Sequence, residues 1–162
     1  MSQFHLAQIN IGRALGPIDS SIMQGFVSQL DEVNALADQS PGFVWRLQGE
    51  GGDATDILAF DDPMILINMS VWENIEDLRN YTYGMMHSAV ARDRRNWFEP
   101  FGGPHLALWW VPAGHIPTPT EGRQKIEFLT EHGPTAEAFT FLEAYSATGE
   151  FLGAKVKEEQ SC

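Results

Sequence analysis

Histidine, arginine and tryptophan crowd into the stretch from Tyr81 to Arg123, YTYGMMHSAVARDRRNWFEPFGGPHLALWWVPAGHIPTPTEGR, and these side chains could do chemistry. His87, Ala91, Arg94 and Phe98 follow at the spacing of one helical face, and Met86, Val90 and Trp97 fall on the adjacent one. An imidazole at His87 can ligate, shuttle a proton or simply hydrogen-bond at a core margin. His105 opens HLALWWV, a short run rich in strand formers. Alternation would set His105, Ala107 and Trp109 on one sheet face and Leu106, Leu108 and Trp110 on the other. On that placement His105 is the acid-base candidate and Trp109 the aromatic wall of a pocket. His115, in PAGHIPT, either orders its turn or serves a ligand.

No histidine pair has HExxH spacing and no carboxylate stands at a fixed short spacing from one, so no protein-held metal is expected. Arg94 and Arg95 offer planar guanidinium donors for a substrate carboxylate, or salt bridges with neighbours such as Asp93. Glu121 is accounted for by capping, three residues after Thr118 at a helix start. The one cysteine, Cys162, is the last residue, which removes disulfide and thiolate chemistry. Nucleophilic-serine, phosphate-loop and dinucleotide motifs are absent, and GEGGD is a turn.

The elements that must position these residues follow from periodicity. Phe4 to Ile11 alternates Ala7, Ile9 and Ile11 with Leu6, Gln8 and Asn10, and Met64 to Trp72 alternates Ile65, Ile67, Met69 and Val71 with Leu66, Asn68, Ser70 and Trp72. Gly42 to Gln48 is a further strand, of which either face could point to the helices. Asp19 would cap a helix with the stripe Ile22, Phe26, Leu30, Val33 and Ala37, ending near Ser40. Asn74 starts another, with Glu76 and Asp77 in its first turn, which Gly84 kinks or divides before the segment from Met85 to Phe98. Thr118, Pro119 and Glu121 begin an extra C-terminal helix that stops at Gly133-Pro134. Residues 138–141 could be a short extended segment.

The order predicts an α+β, ferredoxin-like βαββαβ fold with that extra C-terminal helix, as one domain over residues 1–145 and a flexible tail over 146–162. One sheet face would be covered by helices, leaving Gln8, Asn10, Asn68, Ser70, His105 and Trp109 on an open face. Pairing with a second copy would bury that face at roughly 25 cal/mol per Å² of apolar area, so a homodimer is expected. A chain of 162 residues, 43% apolar and 20% charged, supports one core. Its net charge of -12 disfavours nucleic acid and anionic membranes as partners. No apolar run is long enough to span a bilayer and MSQFHLAQ lacks a signal core, so a cytoplasmic location is expected.

RRNWFEPF, LALWWVPAGHIPTPTEGR and EHGPTAEAFTF resemble the bacterial family known as domain of unknown function 3291, over roughly Phe4 to Phe141, with LWWVPAGHIPT the most specific part. The resemblance implies a branch of the dimeric α+β barrel superfamily, which includes antibiotic-biosynthesis monooxygenases, haem-degrading monooxygenases, chlorite dismutases and stress-responsive proteins. It implies a fold and a dimer without implying one activity. VWENIEDLRNYTYGMMHSAV is similar to the monooxygenase helix signature, with His87 a loose match to its histidine. The expected function is a cofactor-independent, monooxygenase-like enzyme for a compact apolar or aromatic small molecule. His105 and His87 are its catalytic candidates, and Asn10, Asn68, Arg94, Trp109 and His115 its binding residues. The alternatives are a haem protein, with His87 or His105 as axial ligand and an arginine on the propionates, and a non-catalytic dimeric binding or stress-response module.

Overall fold

Alternating apolar residues build the sheet. The computed structural model describes residues 3–48, 60–86, 92–100 and 103–153. Strand β1 (Phe4–Arg13) pairs antiparallel with β3 (Ile65–Trp72) on one side and β4 (Leu106–Pro112) on the other, and β2 (Phe43–Arg46) lies outside β3. The order β2-β3-β1-β4 is that of a ferredoxin-like α+β fold. Helix α1 (Gln24–Gln39), preceded by a 3-10 turn at Ser21–Met23, joins β1 to β2. Helix α2 (Ile75–Met86) lies between β3 and β4, and α3 (Pro119–His132) is the extra helix.

The local signals account for the helix ends. Asn74 Oδ1 accepts from the Asp77 amide at 2.8 Å and Thr118 Oγ1 from the Glu121 amide at 3.1 Å, satisfying N–H groups that no earlier turn can bond. Gly133 ends α3 at φ 73°, a conformation glycine takes without strain. Ser20, rather than Asp19, stands at the N-terminus of the turn before α1. Helix α2 runs through Gly84 undivided. Arg94–Asn96 form a 3-10 turn, after which Phe98 bridges Ala14; Trp97 and Phe98 therefore pack with Met23 and Ala14 at the sheet margin instead of continuing a helical face.

The placement of the faces departs from expectation. Right-handed crossovers put α1 and α2 on one side of the sheet. That side is the polar one, with Asn10 and Asn68 beneath α1 and α2, and Ile75 and Leu78 of α2 packed with Leu6, Trp72 and Leu108. The apolar side, carrying Ala7, Ile9, Ile11, Ile65, Ile67, Met69 and Val71, is covered by Ile126 and Leu129 of α3. Gly122 permits this approach: a Cβ there would meet Ile9 Cδ1 at 2.8 Å and Met69 Cε at 3.2 Å. The polar face is thus roofed by α1 and α2, with Asn10 and Asn68 still exposed to solvent, and the dimer inferred from a face bare of helices loses that argument.

Strand β2 resolves differently from either sequence alternative. A register shift between Phe43 and Trp45 lets Phe43 pack edge-on to Trp72 on the polar side, 5.5 Å between centroids, while Trp45 and Leu47 join the α3 side. Part of the segment expected to be a tail is ordered: β5 (Ala144–Tyr145) pairs with β6 (Phe151–Gly153), and Trp110 Nε1 donates to the Tyr145 carbonyl at 2.8 Å. No helix among the described residues is long and apolar enough to cross a membrane.

Candidate functional site

Between the polar sheet face and helices α1 and α2 lies a cavity of about 450 Å³. Phe26, Leu30 and Val33, from the stripe of α1 that reads as core, form its roof with Tyr81, Thr82 and Met85 of α2. Its floor is Asn10 and Asn68, opposite each other on β1 and β3, beside Leu66 and Leu106. Arg94, Phe98, His105 and Phe141 close the ends.

The floor is held by a chain of side-chain hydrogen bonds that begins in the core. Trp72 Nε1, fully buried and able only to donate, bonds Ser70 Oγ at 2.8 Å. Gln8 Nε2 donates to Ser70 Oγ and to Asn68 Oδ1, both at 2.8 Å, and Asn10 Nδ2 reaches Asn68 Oδ1 and Gln8 Oε1 at 3.3 Å. The register that pairs Gln8 with Ser70 and Asn10 with Asn68 makes this possible. Gln8, 4% exposed, stands behind the cavity and orients Asn68. With Asn68 Oδ1 accepting twice, its Nδ2 donor and the Asn10 Oδ1 acceptor have no side-chain partner among the described residues and can serve a ligand.

Three titratable side chains line the cavity. Arg94 lies over Phe98, its guanidinium carbon 5.1 Å from the ring centroid, and burial lowers its pKa while leaving it a cation. It forms no ion pair among the described residues, Asp93 included. Tyr81 stacks on Trp72 with centroids 5.1 Å apart; burial first, then the charge of Asp38, pushes its phenol up to about 12, so it is a hydrogen-bond donor at neutral pH. His105 stands just before β4, its carbonyl accepting from the Ile11 amide at 2.9 Å, and its exposed side chain is at the rim.

Asn10, Asn68, Arg94 and His105 therefore share one cavity, whereas Trp109 and His115 lie on the other side of the sheet. Because Asn10 pairs with Leu106 and Gln8 with Leu108, the even residues of β4 face the cavity and Trp109 faces α3, 2% exposed. There its Nε1 donates to Glu121 Oε2 at 3.0 Å, and His115 Nε2 bonds Glu121 Oε1 at 2.9 Å. Burial alone would raise the Glu121 carboxyl, but the hydrogen bonds of His115 and Trp109, the charge of His115 and the backbone bond at Thr118 hold it below its ordinary value. Glu121 is thus a clamp between the loop and the core, a role its spacing from Thr118 concealed. His87 lies outside the described residues. Helical spacing places Tyr81 with Leu78 on the apolar face of α2, and a phenol there is the one signal in the sequence of a polar cavity beside that face. Among the described residues, no cluster of three or more His, Cys, Asp or Glu side chains could hold a metal ion.

Residues 5–153 match the model of a family described as a domain of unknown function, DUF3291. Among solved structures, the chain is similar to a protein of unknown function from Nitrosomonas europaea, at 12% identity and TM-score 0.46, over 72% of this chain and 97% of that one. It is also similar to a protein of the same organism provisionally named an antibiotic biosynthesis monooxygenase, at 12% identity and TM-score 0.41, over 73% of this chain and 97% of that one. At this identity and these scores, neither bears on the site or its activity. No curated protein matches the sequence.

Proposed function

We propose, for a chain that belongs to the DUF3291 family, an oxygenase that needs no cofactor and acts on a compact, largely apolar small molecule held beneath α1 and α2. The observation that carries this reading is the cavity's set of titratable groups. Arg94 is a cation and Tyr81 a protonated phenol, so His105 is the one described lining side chain of a type that can act as general base.

His105 removes a proton from an acidic C–H of the substrate, and Asn68 Nδ2 and Arg94 stabilise the anion that forms. The anion passes one electron to dioxygen, and the radical and superoxide couple to a peroxide. Loss of water then leaves one oxygen on the substrate as a carbonyl: a CH₂ group and O₂ become C=O and H₂O. The substrate supplies all the electrons. Phe26, Leu30 and Phe98 give the anion's apolar part a surface to pack against.

Oxygen uptake with a panel of enolisable aromatic ketones and electron-rich phenols tests this. One oxygen molecule is expected per substrate, and His105→Ala is expected to lower kcat by about 10²–10⁴. Turnover unchanged in that variant would remove His105 as the base; saturable binding without oxygen uptake would make the protein a binding module. Haemin is expected to show no shifted Soret band with the protein. A shifted band lost in His105→Ala would place that histidine on the iron instead.

A further inference from the structure

A second cavity, about 440 Å³, lies at the start of β4 against the C-terminal end of α3. His105, Leu106 and Phe141 line both cavities, so these residues form a sill between them. Beyond the sill the second cavity is walled by Pro104, Leu129, Pro134 and Leu142, with Thr140 as its other polar side chain. The two prolines also withhold backbone N–H donors from it. The outer wall is positioned by the sheet: Phe139, fully buried, exchanges both backbone hydrogen bonds with Leu108 at 2.8 and 2.9 Å, and Thr140, Phe141 and Leu142 follow from it. The first cavity thus offers a cation and an amide donor, and the second offers apolar surface.

We infer that the site takes an anionic amphiphile, its charged head at Arg94 and Asn68 and its apolar tail crossing the His105, Leu106 and Phe141 sill into the second cavity. This rests on the reading above for the head group and extends it with a tail subsite and a substrate class. A net charge of -12 repels anions at long range, which makes the Arg94 guanidinium at the cavity end, unpaired among the described residues, the feature that selects one. Burial of an alkyl chain against Leu129, Pro134 and Leu142 supplies affinity that a compact acid would lack.

The test is calorimetric titration of the whole chain with 4-alkylbenzoates from methyl to octyl, which have the head and tail but are not oxidised by the proposed chemistry. Kd is expected to fall about fourfold for each methylene placed beyond the sill, and to level off once the second cavity is full. Leu142→Asp sets a charge at that cavity's exposed wall and touches nothing in the first; it should abolish the gain with chain length while leaving 4-methylbenzoate binding unchanged. Thr140→Trp, which fills the same space, should do likewise. Absence of any gain with length in the wild-type protein, or a gain that survives both variants, would overturn the inference, as would failure of every homologue to bind. A length-dependent gain without oxygen uptake on any substrate would keep the inference and remove the oxygenase reading. Oxygen uptake without that gain would do the reverse.

Discussion

Replacing Glu121 by alanine separates two accounts of the same residue. If Glu121 only caps α3, its loss costs a few tenths of a kcal/mol to about 1 kcal/mol. The structure instead makes its carboxylate the acceptor for the indole N–H of Trp109, a side chain 2% exposed for which no other acceptor is found among the described residues. Orphaning that donor costs about 1–3 kcal/mol, losing a negative charge from the first turn of α3 adds about 0.3–1, and the exposed His115 pair adds no more than about 1. The sum, about 1–5 kcal/mol, corresponds to a fall in Tm of roughly 3–20 °C for a chain of this length. Glu121→Gln keeps an acceptor for the indole and loses only the charge, so it should cost about 1 kcal/mol or less.

The pH dependence has a definite sign. The folded pKa of Glu121 lies below its ordinary 4.5, so its ionised form stabilises the fold above that value, and the contribution is lost as pH falls through the lower folded pKa. The gap between wild type and Glu121→Gln, measured by urea denaturation, should therefore be full near pH 6 and shrink below about pH 4. A Glu121→Ala protein within about 0.5 kcal/mol of wild type, or one no worse than Glu121→Gln, would refute the clamp.

Other perturbations test the floor of the cavity. Gln8→Met removes one of the two donors to each of Ser70 Oγ and Asn68 Oδ1 and should lower the urea midpoint by an amount equivalent to about 1–3 kcal/mol with m unchanged; a neutral effect would mean the network does not hold Asn68. Gly12→Ala places a Cβ 2.9 Å from Phe98 Cδ1 and 3.5 Å from Arg94 Nη2, and Phe98 is a buried ring with little freedom to yield. It should destabilise the fold by about 1–3 kcal/mol and raise the Kd of 4-methylbenzoate, measured by thermal melting and titration; retention of both wild-type values would show that Phe98 and Arg94 adapt freely.

Local patterns in the chain determined the order of elements and most of their boundaries. Ala7, Ile9 and Ile11, and Ile65, Ile67, Met69 and Val71, mark apolar strand faces by period alone, and Asn74, Thr118, Pro119 and Gly133 mark helix ends by chemistry that acts within one turn. Asn10 and Asn68 were legible as partners because both interrupt the same face of strands that pair. Tertiary structure alone decided which face of β4 joins them. Alternation divides a strand into two sets of residues, but the register with β1 assigns the sets, and a shift of one residue exchanges them. The pairs Asn10 with Leu106 and Gln8 with Leu108 send Trp109 to α3, where it meets Glu121. Crossover handedness and the docking of α3 likewise decided that the polar face lies under α1 and α2, making Phe26, Leu30 and Val33 of an apparent core stripe into the roof of a cavity. These are choices between distant segments, and a period read along one segment has no term for them.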